Sequence, residues 1–391
     1  MTDSVADLDT AWSNYAERIK AVGESITGDG YPDDPRLRAE GYRYVSRLAH
    51  LAQLIYVEFG DPAFPSLFRV GDDTTPFGAT NTDNNYYRAI VDPAGTYRVT
   101  GDVTGVKELL FSVQDGEFVF GKTEVLAELS LEELVIDDDG TLELILGGRE
   151  GPPNWLPLAP DAEYLNVREF VGDWEHDALA SLYIERIDDA GPPANLTPAA
   201  HAAALDRVAT WVEASVPLWK EFVSGLRSFV PVNGLQAPLK PQGGAQNMLH
   251  GAGQWDLGPN EALIIEFDRP EVTYWSVQTY VLDWMVPLDF ANRVTSLNDG
   301  QLREDDEGTF HIVLSHTDPG VQNWLDTSGL PNGLFTYRYV RPKHAPAPTT
   351  KVVDVDQVRA HLPASTPAFS AEERRAQITS RRRGVARRFR R

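Results

Sequence analysis

A short acidic segment around one histidine is the densest cluster of reactive groups in this sequence. Residues 173–177 read Asp-Trp-Glu-His-Asp, so that three carboxylates surround His176. Neighbouring carboxylates raise the pKa of an imidazole, which suits acid–base catalysis, and mixed oxygen and nitrogen atoms also suit some metals. We therefore take Asp173 and His176 as candidate catalytic residues. The alternative is a solvated loop that Trp174 anchors in the core, and we predict no metal site.

The longest irregular segment supplies a second candidate site. It runs from Val230 to Asn260 and is rich in Gly, Pro, Gln and Asn. Loops of this length are uncommon inside compact domains and often form binding sites or lids. The predicted ligand-binding set takes four side chains from this loop and one Trp from an aromatic-rich region downstream: Gln246, Asn247, His250, Trp255 and Trp284. His250 is also the third catalytic candidate, although a plain crossover between domains would explain the segment equally well.

Motifs of the common enzyme classes are absent from the sequence. It contains no Gly-x-Ser-x-Gly, no phosphate-binding loop, no Gly-x-Gly-x-x-Gly after a strand and no His-Glu-x-x-His. The lack of cysteine excludes disulfides, thiolate catalysis and Cys-based metal sites. Asn81, Asp83 and Asn85 have the alternating oxygen spacing of a calcium loop, but Tyr86 stands where such a loop needs Gly. We predict no cofactor, and whether the protein is an enzyme stays open.

Hydrophobic periodicity indicates which elements position these residues. Apolar residues at spacings of three and four predict two helices within the first sixty residues. From about Tyr86 the period changes to two, and turn-forming clusters separate the alternations, which is typical of antiparallel strands. A helical stripe returns over residues 198–229, where Pro217 is expected to kink or split the helix. The strand pattern resumes over residues 262–339.

The two strand regions resemble each other and indicate an internal repeat. Each contains an acidic-Gly hairpin turn, a strand, an Asn-Trp-Leu loop and a closing strand with an Arg. The markers of the first copy are Gly140, Asn154 and Arg168, and those of the second are Gly308, Asn323 and Arg338. The offsets between the copies are 168, 169 and 170 residues. Three landmarks that keep step within two residues predict two copies of one β module.

The predicted fold is mainly β with helical additions. Two jelly-roll-like antiparallel β-sandwich modules form the repeat, with N-terminal helices before them and a helical segment between them. The predicted parts are an N-terminal helical region (1–65), the first β-sandwich module (66–190), connecting helices (191–230), the second β-sandwich module (231–345), and a Pro/Ala-rich linker with an Arg-rich tail (346–391).

Charge is distributed unevenly along the chain. The formal net charge is −23, yet residues 372–391 contain nine Arg and two Glu, which leaves −30 on the rest. Arginines at this density are expected to stay in solvent, so that deleting the tail should hardly change stability. The tail either folds back onto the acidic body or binds an anionic surface, a membrane or nucleic acid. A basic helix with Ile378, Val385 and Phe389 on one face is one form of it, although Gly384 would weaken that helix.

The landmarks together resemble a bacterial family of unknown function, DUF1214, in the subgroup with a helical N-terminal region. The residues that carry the resemblance are Asp318-Pro319-Gly320, Asn323-Trp324-Leu325, Gly333-Leu334-Phe335 and Arg338-Tyr339, with Gly41-Tyr42-Arg43-Tyr44 and residues 82–86 upstream. The resemblance spans about residues 10 to 342. It implies jelly-roll-like β-sandwich domains and little about chemistry, because the family has no settled activity.

Three functions remain open at the level of sequence. The first is binding of a small apolar or glycosidic ligand between the modules. The second is a hydrolase or lyase with a His–carboxylate acid–base site. The third is an assembly or interaction protein that docks through its Arg-rich tail. No segment is apolar enough to span a membrane and no secretory signal is present, so we expect a cytoplasmic protein. The oligomeric state is not predicted.

Overall fold

The chain forms two compact units, each with two β-sheets. The computed structural model describes residues 4–389 apart from positions 123, 152, 242, 243 and 246. Unit 1 comprises Met1–Phe77, Asn84–Val171 and Ala178–Trp219, and unit 2 comprises Gly78–Asp83, Gly172–Asp177 and Lys220–Arg391. The predicted mainly β architecture with two modules and helical additions is confirmed. None of the described helices is long and apolar enough to cross a membrane.

Two capped helices open unit 1. The helices are α1 (Val5–Ser25) and α2 (Pro35–Gln53), and a π-helical turn follows at Leu54–Glu58. The side chain of Ser4 accepts a hydrogen bond from the backbone N–H of Asp7, and Asp34 caps α2 in the same way, ahead of a Pro in the first turn. Such caps satisfy backbone donors that have no partner inside the helix. α2 buries the apolar stripe that includes Tyr44 and Leu48.

The first β-sandwich contains nine strands within the described part of unit 1. They are β1 (Phe68–Val70), β2 (Asn84–Ile90), β3 (Thr96–Asp102), β4 (Glu108–Gln114), β5 (Val125–Ser130), β6 (Thr141–Gly147), β7 (Trp155–Leu156), β8 (Tyr164–Phe170) and β9 (Ser181–Arg186). One sheet has the order β1-β2-β8-β4-β5 and the other β7-β6-β3-β9. Phe111 and Val113 of the first sheet share one buried cluster with Leu142, Leu144 and Leu146 of the second. The alternating apolar residues therefore close a core between the sheets.

A single long helix, α3 (Pro198–Phe229), follows the first sandwich. It continues through Pro217, so the expected split does not occur. Proline removes one backbone hydrogen bond but leaves the apolar stripe in register, and burial of Val208, Trp211 and Val212 holds the helix in place.

Unit 2 repeats the two-sheet arrangement. Its strands are β10 (Met248–Asp256), β11 (Glu261–Asp268), β12 (Tyr274–Val281), β13 (Val286–Pro287), β14 (Ser296–Asn298), β15 (Thr309–Ser315), β16 (Trp324–Asp326), β17 (Asn332–Val340) and β18 (Thr349–Asp354). One sheet has the order β10-β17-β12-β13, with β14 also paired to β12, and the other β16-β15-β11-β18. The core is aromatic: the ring centroid of Phe267 lies 5.4 Å from Trp275 and 5.3 Å from Tyr337.

Equivalent contacts in the two modules support the internal repeat. The side-chain amide of Asn154 donates to the carbonyl of Glu143, and that of Asn323 donates to the carbonyl of His311. The short strand after each Asn pairs in parallel with the strand before it, β7 with β6 and β16 with β15. The Asn therefore fixes the same crossover twice, because its amide satisfies backbone groups that the loop would otherwise leave unpaired.

The C-terminal segment differs from the expected linker and tail. Residues 346–391 contain β18, a 3₁₀ segment at Val355–His361 and the helix α4 (Ala371–Phe389). β18 pairs with β11 as β9 pairs with β3, and each β18 residue lies 168 positions after its β9 counterpart. The second module therefore extends past residue 345, because its outer sheet needs this strand to be complete.

Candidate functional site

The acidic segment around His176 forms a local pair in solvent. The Nδ1 atom of His176 lies 3.0 Å from the nearer carboxylate oxygen of Asp173, and the two side chains are 78% and 53% exposed. Partial desolvation of Asp173 acts to raise its pKa, but hydrogen bonds from His176 and nearby backbone groups outweigh it and lower the pKa. A pair this exposed lacks the water exclusion that strengthens acid–base groups in most active sites.

His250 lies apart from that pair, on β10. It faces Arg338 across the β10–β17 ladder, and its backbone exchanges two hydrogen bonds with Leu239. Desolvation, with a smaller contribution from Arg338, lowers the pKa of His250 to about 4. The imidazole is therefore neutral at pH 7. Within the described residues, no hydrogen bond or ion pair joins it to Asp173 or His176.

The remaining members of the predicted ligand-binding set occupy different environments. Trp255 and Trp284 are buried in the core of unit 2, and Asn247 is exposed. Gln246 lies outside the described residues. The structure therefore places the two tryptophans in the core and Asn247 at the surface, and the binding role of this set stays a prediction.

A cavity with a volume of about 690 Å³ lies in unit 1. We refer to it as the unit 1 cavity. Segments far apart in the chain form its walls: the π-helical turn after α2, the end of β2, the loops after β4 and before β8, and α3. Its charged and tyrosine lining residues are Tyr56, Glu117, Lys122, Asp161, Glu163, Tyr164, Asp206 and Arg207. Its volume lies within the usual range for small-molecule sites.

A buried ion pair supports the inner wall of this cavity. The Arg88 guanidinium donates to the Glu117 carboxylate, and Trp211 Nε1 donates to the same carboxylate over 3.1 Å. Arg88 also lies 4.0 Å from the ring centroid of Tyr164, a cation–π contact. Desolvation raises the pKa of Tyr164 to about 12, so its hydroxyl keeps its proton and donates to Gln114 Oε1 at 2.6 Å. These contacts give the wall one fixed arrangement of donors and acceptors.

The outer part of the cavity carries charges near solvent. Arg207 lies 4.5 Å from the ring centroid of Tyr56, and Asp206 pairs with Arg18 at 2.7 Å. Partial desolvation and the nearby Glu117 carboxylate raise the pKa of Glu163.

The backbone conformation at position 116, beside the Glu163 carboxyl group, favours glycine. The backbone φ of Gly116 is 134°, and a Cβ atom there would come within 2.8 Å of the carboxyl carbon of Glu163. A side chain at position 116 would strain this backbone conformation, and the Glu163 carboxyl group would have to move aside.

Asp83, considered above for calcium, is the centre of a buried hydrogen-bond network in unit 2. One of its carboxylate oxygens accepts from Trp174 Nε1 at 2.7 Å and from Asn298 Nδ2 at 3.0 Å, and the other accepts from the Tyr274 hydroxyl at 2.6 Å. Protein donors therefore already engage both oxygens, as burial of a carboxylate requires.

The Arg-rich helix α4 contributes to the same network, against the expectation that its arginines stay in solvent. Arg374, Arg381 and Arg388 are buried at intervals of seven residues. Arg381 donates to the carbonyls of Phe290 and Ser296 at 2.9 Å. Burial lowers the pKa of Arg381 to about 10, which the Asp83 carboxylate opposes, so the guanidinium stays charged at pH 7. The arginines can be buried because carbonyls and aromatic rings replace their hydration.

Gly384 fixes how close α4 lies to the loop at residues 172–177. A Cβ atom at position 384 would come within 2.4 Å of the Cβ of Trp174. Arg381 and Arg388 lie over the indole of Trp174, at 4.6 and 5.0 Å from a ring centroid. The glycine that was expected to weaken the helix is therefore the residue that permits its packing.

Sequence reasoning did not find the residues of the unit 1 cavity. Tyr56, Glu117, Glu163 and Arg207 are separated by 44 to 61 residues and share no motif. One signal was present: Arg88 lies between Tyr87 and the apolar residues Ala89 and Ile90 in a predicted strand, and a charge that is buried there requires a partner.

Comparison with known proteins gives a family without an assigned activity. The model of the family described as "Protein of unknown function (DUF1214)" matches residues 250–344. The crystal structure of a putative uncharacterized protein from Burkholderia cenocepacia is 34% identical, covers 92% of this chain and 100% of its own, and has a TM-score of 0.84. The VPA0106 protein from Vibrio parahaemolyticus is 14% identical over 80% of this chain and 98% of its own, with a TM-score of 0.45. No curated protein matches the chain.

Proposed function

The chain belongs to the DUF1214 family of proteins of unknown function, and we propose that it binds a small neutral polyhydroxylated molecule, such as a mono- or disaccharide, in the unit 1 cavity. The observation that carries this proposal is the size of the cavity together with its mixed lining of tyrosines, cations and carboxylates. The proposal concerns unit 1 alone and replaces the ligand position between the modules that the sequence suggested.

The charge balance of the lining favours a neutral ligand. Glu117 pairs with Arg88, and Asp206 pairs with Arg18. The other charged lining residues are two cations, Lys122 and Arg207, and two carboxylates, Asp161 and Glu163. A strongly anionic or cationic ligand would meet as many like charges as opposite ones. A hydroxyl group, which both donates and accepts, can use either kind of side chain.

The apolar part of the lining suits the C–H faces of a sugar ring. Tyr56 offers a ring face together with a polar hydroxyl, and Phe120 is 48% exposed at the opening. Ile90, Val91 and Pro93 add aliphatic surface. Aromatic residues of this kind bind ligands that are apolar on one side and polar on the other.

Ligand-observed NMR against a panel of neutral mono- and disaccharides tests the proposal. We expect binding by the wild-type protein and at least a tenfold loss of affinity in Arg207→Ala and Tyr56→Leu. Arg43→Ala is the matched control, because Arg43 is an exposed arginine of unit 1 whose ion pair with Glu40 is long, at 3.6 Å. No binding by the wild type, or equal losses in all three variants, would overturn the proposal.

One observation favours a second function on the same cavity. The raised pKa of Glu163 keeps more of this carboxyl protonated near neutral pH than an ordinary Glu, as a general acid requires. We propose, as this second candidate, a hydrolase or lyase in which Glu163 supplies the proton. Assays on chromogenic glycosides should then show turnover that Glu163→Gln abolishes while sugar binding is kept. Equal turnover by the two proteins would remove Glu163 from this role.

A further inference from the structure

Three strands of the first sheet present polar side chains away from the core. On β8, Leu165 and Val167 belong to the core cluster, so Tyr164 and Asn166 point to the opposite face. Asn166 pairs across the ladder with Arg88 on β2, and Tyr164 pairs with Gln114 on β4. Arg88, Gln114 and Asn166 therefore share one face, and we call them the inner polar trio.

Each member of this trio is more than nine-tenths buried and carries one unpartnered atom. The exposed fractions are 6% for Arg88 and 8% for both Gln114 and Asn166. The atoms are Arg88 Nε, Gln114 Nε2 and Asn166 Oδ1, which have no hydrogen-bond partner within the described part of the chain. Buried polar atoms nearly always have partners, so three on one face point to a partner from outside the chain.

The inner polar trio lies directly behind the wall of the unit 1 cavity. Arg88 donates to Glu117 and stacks on Tyr164, and Gln114 accepts from the Tyr164 hydroxyl. Both Glu117 and Tyr164 line the cavity. A group that enters past Tyr164 would therefore meet the trio next.

We propose that the inner polar trio is the inner subsite of the unit 1 cavity and holds one hydroxyl group of the ligand. This inference rests on the proposed function. Arg88 Nε–H and Gln114 Nε2–H each offer one donor, and Asn166 Oδ1 offers one acceptor. A hydroxyl accepts two hydrogen bonds and donates one, which matches the trio in number. A carboxylate would leave Asn166 without a donor, and an ammonium group would leave Arg88 and Gln114 without an acceptor.

The replacement Asn166→Leu tests the subsite with two measurements, the thermal midpoint and the affinity for the tightest-binding sugar of the panel. Leucine has a similar volume, and Asn166 has an acceptor that the free protein leaves unpartnered. We therefore expect an unchanged or higher thermal midpoint and about tenfold weaker binding, the usual effect of one lost hydrogen bond to a ligand. A deoxy analogue that lacks the bound hydroxyl should bind the two proteins equally.

Asn154→Leu is the matched control in the same sandwich. Asn154 is 5% exposed, and its amide makes hydrogen bonds with Val135 and Glu143. Its replacement should lower the thermal midpoint and leave the affinity of the folded protein unchanged. An equal drop of the midpoint in Asn166→Leu would mean that a permanently bound water occupies the trio, which overturns the subsite.

The affinities separate failure of the subsite from failure of the proposed function. Unchanged binding by Asn166→Leu, with binding weakened in Arg207→Ala, would overturn the inner subsite and leave the proposed function standing. No binding of any panel member by the wild type would overturn both.

Discussion

At the scale of single residues, the environment of Trp255 favours a role in the core over a role in ligand binding. Its side chain is fully buried, and a Cβ atom added at Gly333 would come within 2.0 Å of its indole ring. The ring therefore packs against bare backbone, which only a glycine allows. A residue held in this way contributes to stability first, whatever binds nearby.

We expect Trp255→Ala to lower the free energy of unfolding by about 3–5 kcal/mol, the usual range for truncating a buried large aromatic. Urea denaturation monitored by circular dichroism measures the change. Trp12→Ala is the control, because Trp12 is 58% exposed and its loss should cost less than ~1 kcal/mol. Equal costs for the two variants would contradict the core role. It follows that the ligand role predicted for the loop at residues 230–260 is better tested with His250→Ala than with a tryptophan replacement.

His250 should also make stability depend on pH. Its folded-state pKa of about 4 lies below the ordinary value of 6.5, so between these values the unfolded chain binds a proton that the folded chain does not. The stabilisation is complete above pH 6.5 and is lost as the pH falls towards 4, by up to about 3 kcal/mol. Denaturation at pH 7.0, 5.5 and 4.5 should show a smaller loss in His250→Gln than in the wild type. Parallel profiles for the two proteins would contradict this assignment.

At the scale of elements, α4 is an internal part of unit 2 and not an appended tail. Arg381 donates to two carbonyls and to the Ser296 hydroxyl, at distances of 2.7 to 2.9 Å. Removing the guanidinium would take a donor from these acceptors and one nearby positive charge from the buried Asp83 carboxylate. Breaking a buried charged network in this way is among the costlier kinds of substitution.

We expect Arg381→Ala to lower the free energy of unfolding by about 3–5 kcal/mol. The neighbouring Arg382→Ala is the control, because Arg382 is exposed and donates to Asn292, so it should cost less than ~1 kcal/mol. Chemical denaturation measures the stability of both variants. Their net charges are equal, because each replacement removes one arginine. Similar midpoints would show that α4 contributes little to unit 2, as the sequence alone suggested.

The same element shows what the sequence could predict and what it could not. Periodicity predicted the sandwiches and most helices, because burial of one face imposes a period on each element. Applied to β9, the 168-residue offset leads to β18 at Thr349–Asp354, although that segment follows a Pro- and Ala-rich stretch typical of a linker. Burial of Arg381 was not predictable, since it depends on carbonyls about ninety residues away in the chain. The unit 1 cavity was hidden for the same reason.

At the scale of the whole molecule, the exposed arginines of α4 affect which partners the protein can bind. Three of its arginines, Arg375, Arg382 and Arg383, remain exposed on a chain whose other charges are mostly acidic. We propose that these three arginines are the groups that bind an anionic surface. We expect the triple replacement by Gln to abolish binding to anionic vesicles at low salt and to leave the thermal midpoint unchanged. Vesicle sedimentation at two salt concentrations measures the binding.

A second triple replacement controls for net charge. Arg36, Arg43 and Arg149 are exposed arginines outside α4, and their replacement by Gln removes the same charge. Vesicle binding should survive in that variant. Equal loss in both variants would mean that overall charge, rather than α4, governs the interaction.

Unit 2 is composed of three separate chain segments, and this determines which fragments of the protein contain the complete unit. Residues 78–83 and 172–177 bring Asp83 and Trp174 to the network that Tyr274, Asn298 and Arg381 complete. A gene fragment that begins at residue 220 would encode every strand of the second sandwich but would lack the carboxylate and the indole at its polar centre. A truncated or shuffled gene that contains only this fragment therefore does not encode the complete second unit. A permuted chain that is meant to form unit 2 alone must also carry residues 78–83 and 172–177.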